Sequence, residues 1–198
     1  MIGIELLIPV CTVGFSLLAE WIALKRTPDY KKGSKFNAVC LMITAAVVLT
    51  MYFFFGSWNE KLKGIITAVI FIYASVCDYL ERKVTDCVSL MLLLTGCIGT
   101  ESKTLVFRFV SAAGMFFFLI LLASMKNSKF GGADVKFITA GVFLIGLMNG
   151  LSAVIISLLL AVVCTLIRNK VKKTNEQSIP LIPYLSIGFL TVILTGGF

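Results

Sequence analysis

Hydrophobic residues along this chain fall into eight runs separated by short polar stretches. The runs cover approximately 2–24, 38–56, 63–79, 86–100, 105–125, 135–149, 151–167 and 180–196. Between them lie Lys25 to Asn37, Ser57 to Leu62, Tyr79 to Thr85, Glu101 to Thr104, Lys126 to Asp134, the Asn149–Gly150 pair, and Arg168 to Ser178. A bilayer core of about 30 Å needs roughly 20 apolar residues per spanning helix. Lipid offers the backbone no hydrogen-bond partner, so spans of this kind are helices. The pattern predicts an all-α polytopic bundle of about eight transmembrane helices, one membrane-embedded domain over residues 1–198. The fourth and sixth runs are short for full spans, and each follows a connection ending in an acid, Asp86 or Asp134. Short helices of this sort are tolerated where they line a wet, protein-walled cavity.

Composition agrees with a membrane location. The chain is 59% hydrophobic and 14% charged, with mean hydropathy +0.99, whereas soluble domains carry about a quarter charged residues. The net charge of +8 raises the question of nucleic acid, but the basic residues lie between apolar runs rather than on a stacking surface. They sort by side instead. The alternate connections hold Lys25, Arg26, Lys31, Lys32, Lys35, Arg82, Lys83, Lys126, Lys129, Lys136, Arg168, Lys170, Lys172 and Lys173, which is 14 of the 18 Lys and Arg. Lys61, Lys63, Lys103 and Arg108 fall on the other side. The positive-inside rule assigns the first set to the cytoplasm and both termini to the outside. Anionic lipid is the expected partner of that basic face. The first run lacks a basic leader and a small-residue cleavage site, so it is expected to be a retained helix.

Chemistry is restricted by what is missing. The sequence has no His, which excludes Ser-His and Cys-His catalysis. Its six cysteines lie in or beside apolar runs without a C-x-x-C pair, so neither a zinc site nor a disulfide framework is expected, and no cofactor is implied. Of ten acids, Glu5, Asp29, Glu60, Glu101 and Glu176 lie in connections or near chain ends, where a solvated charge needs no explanation, and Glu20 near the inner end of the first helix can snorkel or pair with a basic neighbour; Asp78, Glu81, Asp86 and Asp134 sit at cytoplasmic helix edges. Asp86 reads as a plain helix cap. Asp134 alone has the same bland reading, because an acid suits a helix start. Asp78 ends an apolar stretch, where an anion meets the unfavourable end of the dipole. Together, Asp78 and Asp134 lie on one membrane side on different helices. Paired carboxylates in a partly dry site share a proton. One takes a proton from water while the other donates to a carbonyl oxygen, which hydrolyses a peptide bond without metal or covalent intermediate.

Gly131-Gly132 before Asp134 permits unusual backbone angles and a side-chain-free strip for an extended substrate; the bland alternative is a loop before a helix. Lys136 reads as a lipid-phosphate contact. Pro180 and Pro183 suit the first turn of the last helix.

These residues also carry a family likeness. Gly131-Gly132-Ala133-Asp134-Val135-Lys136 resembles the G-x-G-D motif of type IV prepilin peptidases, the GxGD-type membrane aspartyl proteases. Asp78, followed by Arg82 and Val84-Thr85-Asp86, is similar to that family's other aspartate motif, and Pro180-x-x-Pro183 to its proline motif. Ala133 stands where the family has a second glycine, and Thr85 where it has proline. The resemblance implies an aspartic endopeptidase with Asp78 and Asp134 catalytic. Gly131, Gly132, Ala133, Lys136, Arg82 and Pro183 would then surround the substrate approach. It implies pilin-like precursors as substrates, carrying a short basic leader and a hydrophobic helix, cleaved at the cytoplasmic face of a bacterial plasma membrane. Larger members insert a cysteine-rich domain implicated in N-methylation after the first helix. Here that connection is only Lys25 to Asn37, so the likeness is to the short, peptidase-only form. The rival readings are a transporter in which the two acids bind protons or cations, and a non-catalytic membrane scaffold.

Overall fold

The computed structural model of the chain describes residues 34–124, 131–172, 180–196 and 198. The predicted first helix, over 2–24, lies outside the described residues, as do most of the connection 25–37 and the lysines at 126, 129 and 173. Among the described residues every regular element is an α-helix. They are α1 (Ser34–Phe54), α2 (Trp58–Glu81), α3 (Asp86–Cys97), α4 (Ser102–Ala123), α5 (Gly132–Ile145), α6 (Leu147–Lys172) and α7 (Ile182–Gly196).

Three of these are long and apolar enough to cross a bilayer: Trp58–Glu81, Ser102–Ala123 and Leu147–Lys170. Their surfaces agree with that. On α4, Phe107, Phe109, Val110, Phe117 and Leu121 are exposed, as are Ile155, Leu159, Val162 and Leu166 on α6. Apolar faces of this extent belong against lipid rather than water. The chain is a helical membrane protein.

The two runs read as short are short. Helix α3 has 12 residues and α5 has 14, about 18 and 21 Å at 1.5 Å per residue. The boundary after α5 differs from the expected Asn149–Gly150 turn. The chain breaks at Gly146, whose φ of 87° is a left-handed value that only glycine adopts cheaply; helix α6 then starts at once and carries Asn149 and Gly150 in its first turns. An apolar pattern running straight through the break concealed it.

The chain divides into two compact units, Met1–Tyr73 and Ala74–Phe198. Within the first, the position a Cβ would take on Gly64 lies 3.0 Å from the Phe55 ring, and the Lys61 ammonium sits 4.7 Å from the centre of the Tyr52 ring. Both contacts close the α1–α2 turn.

The second unit is built around α5, which packs on α3, α4, α6 and α7. From Val135 to Ile145 it is almost wholly buried, with Phe137, Ile138, Val142 and Leu144 fully inside. Small residues let the neighbours approach. A Cβ on Gly96 would fall 2.7 Å from the Phe143 ring, one on Gly150 2.7 Å from Val142 Cγ2, and one on Gly141 would overlap the Phe189 ring. Lipid supplies no hydrophobic drive between helices, so close packing over small residues is what holds such a bundle. Arg108 of α4 donates from its guanidinium to the Leu144 carbonyl at 2.6 Å. It thereby satisfies an orphan carbonyl at the C-terminal end of α5, where a cation also suits the dipole.

Candidate active site

Asp78 and Asp134 both belong to the second unit and come from different helices. Helix α2 continues to Glu81, beyond the expected end at Tyr79, so Asp78 sits in its last turn. Arg82 then stops the helix. Its φ is 52°, a left-handed conformation costing a non-glycine residue roughly 1–2 kcal/mol, and its N–H bonds back to the Asp78 carbonyl at 3.0 Å.

The unfavourable dipole expected at Asp78 is answered by a different helix. The Asp78 carboxylate accepts the N–H of Ile182, the first residue of α7, at 3.1 Å. The first turn of a helix leaves backbone N–H groups without internal partners. In α7, Pro183 has none to satisfy, Tyr184 donates to the Leu181 carbonyl at 3.1 Å, and Asp78 takes the N–H of Ile182. Asp78, 9% exposed, thus caps the positive end of α7 from across the bundle. The Arg82 charge acts on the same carboxylate.

Asp134 lies in the first turn of α5 rather than in the preceding connection. Gly131 is the residue before that helix, and its carbonyl accepts the N–H of Asp134 at 3.1 Å and of Val135 at 3.3 Å. The Asp134 carboxylate in turn accepts the N–H of Gly131. This is one half of a capping box, a carboxylate at the third helical position on the N–H of the residue before the helix, so the bland reading of Asp134 is true as far as it goes. It is not the whole account. Asp134 is half-buried, and the Asp78 charge acts directly on it. Each acid therefore sits at the N-terminal end of a helix, and Asp134 lies in the field of Asp78.

Gly131 does not need glycine for its backbone angles. Its φ of −74° and ψ of 142° are extended values open to any residue, which corrects the expectation of unusual geometry there. What the residue provides is space: a Cβ would lie 3.1 Å from Asp134 Oδ2. A Cβ on Gly132 would meet nothing within 4 Å. Gly131, Gly132 and Ala133 are all exposed, so an open, nearly side-chain-free strip leads to Asp134.

Two further residues differ from their expected roles. Asp86 is the first residue of α3, after the extended Thr85, and not the cap itself. It pairs with Lys136 at 2.7 Å, so the ammonium expected to meet lipid phosphate instead ties α3 to α5 two residues beyond Asp134. Both side chains are largely exposed, and pairs of that kind contribute about 0–1 kcal/mol. Pro183 lies in the first turn of α7, as expected, beside Ile182. Spacing alone gave no sign of the Ile182 N–H, because its partner is 104 residues away in sequence. Among the described residues no group of His, Cys, Asp and Glu could hold a metal ion.

Apolar helices packed over small residues define an integral membrane protein, and Asp78 and Asp134 at the starts of two of them are its candidate site. The model of the type IV leader peptidase family matches residues 65–166, and the chain belongs to that family. The matched segment contains both acids and ends before Pro180 and Ile182. No curated protein and no solved structure gives a significant match.

Proposed function

We propose that the protein is an aspartic endopeptidase that removes the short basic leader from pilin-like precursors at the cytoplasmic face of a bacterial plasma membrane. The observation that carries this reading is that Asp78 caps the start of α7 and Asp134 stands in the first turn of α5, where the Asp78 charge acts on it, in a chain of a leader peptidase family. Two carboxylates so placed hold one proton between them. The ionised member takes a proton from a water molecule as that water attacks the scissile carbonyl. The protonated member donates to the carbonyl oxygen, and the proton then passes to the leaving amine. The pair titrates as a unit, so neither acid is the permanent base.

In this reading eight spans place both ends of the given chain outside, and the basic connections, with the site, face the cytoplasm. Anionic lipids neutralise that face. Gly131, Gly132 and Ala133 admit the extended substrate backbone, with Arg82, Lys136 and Pro183 around the approach. The connection 25–37 is too short to hold a cysteine-rich domain at that position, so no N-methylation accompanies cleavage.

The test is co-expression with a pilin-like precursor. Asp78→Asn and Asp134→Asn each lower processing by about 10²–10⁴-fold, the usual contribution of a general acid or base, while the protein stays inserted in the membrane. Parent-level cleavage in either variant removes the assignment. A parent that cleaves nothing but conducts ions, with flux lost in both variants, makes it a transporter.

A further inference from the structure

Helices α2 and α7 touch at a second polar point one turn from Asp78. Ser75, three residues before Asp78, donates its hydroxyl to that of Ser186 at 2.9 Å. Ser186 is four residues beyond Ile182, whose N–H meets Asp78. The two contacts therefore run between the same helices on adjacent turns, in antiparallel order. Ser186 is buried at 4% exposure, and Ser75 is half-buried. The opposite side of α7 is fixed independently. Gly188 is pressed against the Ser157 hydroxyl and the Ala153 carbonyl of α6, and Ser157 also reaches the Leu185 carbonyl at 3.4 Å.

We infer that Ser75 and Ser186 are positioning residues that hold the first turn of α7 in register with Asp78 and so set where its carboxylate stands. With the far side of α7 fixed on α6, a single contact to α2, the Ile182 N–H on Asp78, still lets the first turn of α7 tilt and carry the carboxylate with it. A second contact a turn away removes that freedom. Reacting groups must be held to within about half an ångström of the productive geometry, and a small misplacement costs rate rather than affinity. The serines touch neither water nor substrate in this scheme; they act through Asp78.

This inference rests on the peptidase reading, and its test separates the two. Purified parent, Ser75→Ala, Ser186→Ala and the double variant are compared for kcat and KM on a pilin-like precursor, alongside Ser75→Thr, which keeps the hydroxyl at the less buried position. A polar contact between membrane helices supplies a modest coupling, so kcat is expected to fall about three- to tenfold in each Ala variant. KM stays within about twofold, because uniform substrate binding is untouched. The double variant loses less than the product of the two single losses, since both remove the shared Ser75–Ser186 bond, and Ser75→Thr restores the parent kcat. Parent-level kcat in either Ala variant, a change confined to KM, losses that multiply in the double variant, or failure of Ser75→Thr to restore kcat each overturns the inference. A parent that cleaves no precursor overturns the peptidase reading instead.

Discussion

Asp78 accepts the backbone N–H of Ile182 at 3.1 Å across 104 residues of sequence. An acid that ends one helix becomes the cap of another, and the proline that follows Ile182 leaves that N–H as the one group in the turn most in need of an acceptor. The last helix is thereby part of the site although it contributes no acid to it. The segment matched by the family model stops at residue 166, so this link lies beyond what the match covers.

The glycines before Asp134 have separable roles. Gly131→Ala places a Cβ 3.1 Å from Asp134 Oδ2, and the carboxylate must give way. Turnover is expected to fall by about tenfold or more, as a displacement of a reacting group does, with KM little changed. Gly132→Ala meets nothing within 4 Å in the free protein. Its effect is expected on KM, because the added methyl stands on the strip the substrate crosses. Kinetics of the two variants on one precursor check this, and identical profiles contradict it.

Packing of α6 against α7 leaves no room at Gly188. A Cβ there would collide with the Ser157 hydroxyl and the Ala153 carbonyl. Gly188→Ala is expected to cost roughly 1–3 kcal/mol, the usual penalty of overpacking, seen as a lowered unfolding temperature in detergent. Gly114→Ala on α4 is the control. Nothing lies within 4 Å of its Cβ, and alanine is the better helix former by about 1 kcal/mol, so its stability stays level or rises.

Arg108 should matter for stability rather than for chemistry. Its guanidinium donates to the Leu144 carbonyl at 2.6 Å, next to the break at Gly146. Arg108→Leu leaves a buried helix end without its donor, at a cost of roughly 1–3 kcal/mol. Precursor cleavage by the fraction that remains folded is expected at parent-level kcat. A thermal melt and an activity assay on the same sample separate the two effects, and an unchanged melt argues against the capping role.

Legibility differed between elements for physical reasons. Short α3 and α5 were readable, because the length of an apolar run limits how far a helix extends into lipid. Their edges were not: Gly146 sits inside an unbroken apolar pattern, and hydropathy does not register a left-handed φ. Lys136 departs from its expected lipid contact for a related reason. An ammonium beside a membrane finds lipid phosphate by default, and only the packing of α3 on α5 brings Asp86 to it.

Sequence by itself determined that this is a helical membrane protein, which acids stand apart from the solvated ones, and which family motifs surround them. Those properties are local: they depend on residue type, spacing and the energetic cost of exposing a backbone to lipid. Tertiary structure alone decided that Asp78 caps α7, that Gly131 serves space rather than backbone angle, and that Ser75 finds Ser186. Each of these depends on which helix lies beside which. Close packing sets that through contacts between residues far apart in the chain, and no periodicity along the chain encodes them.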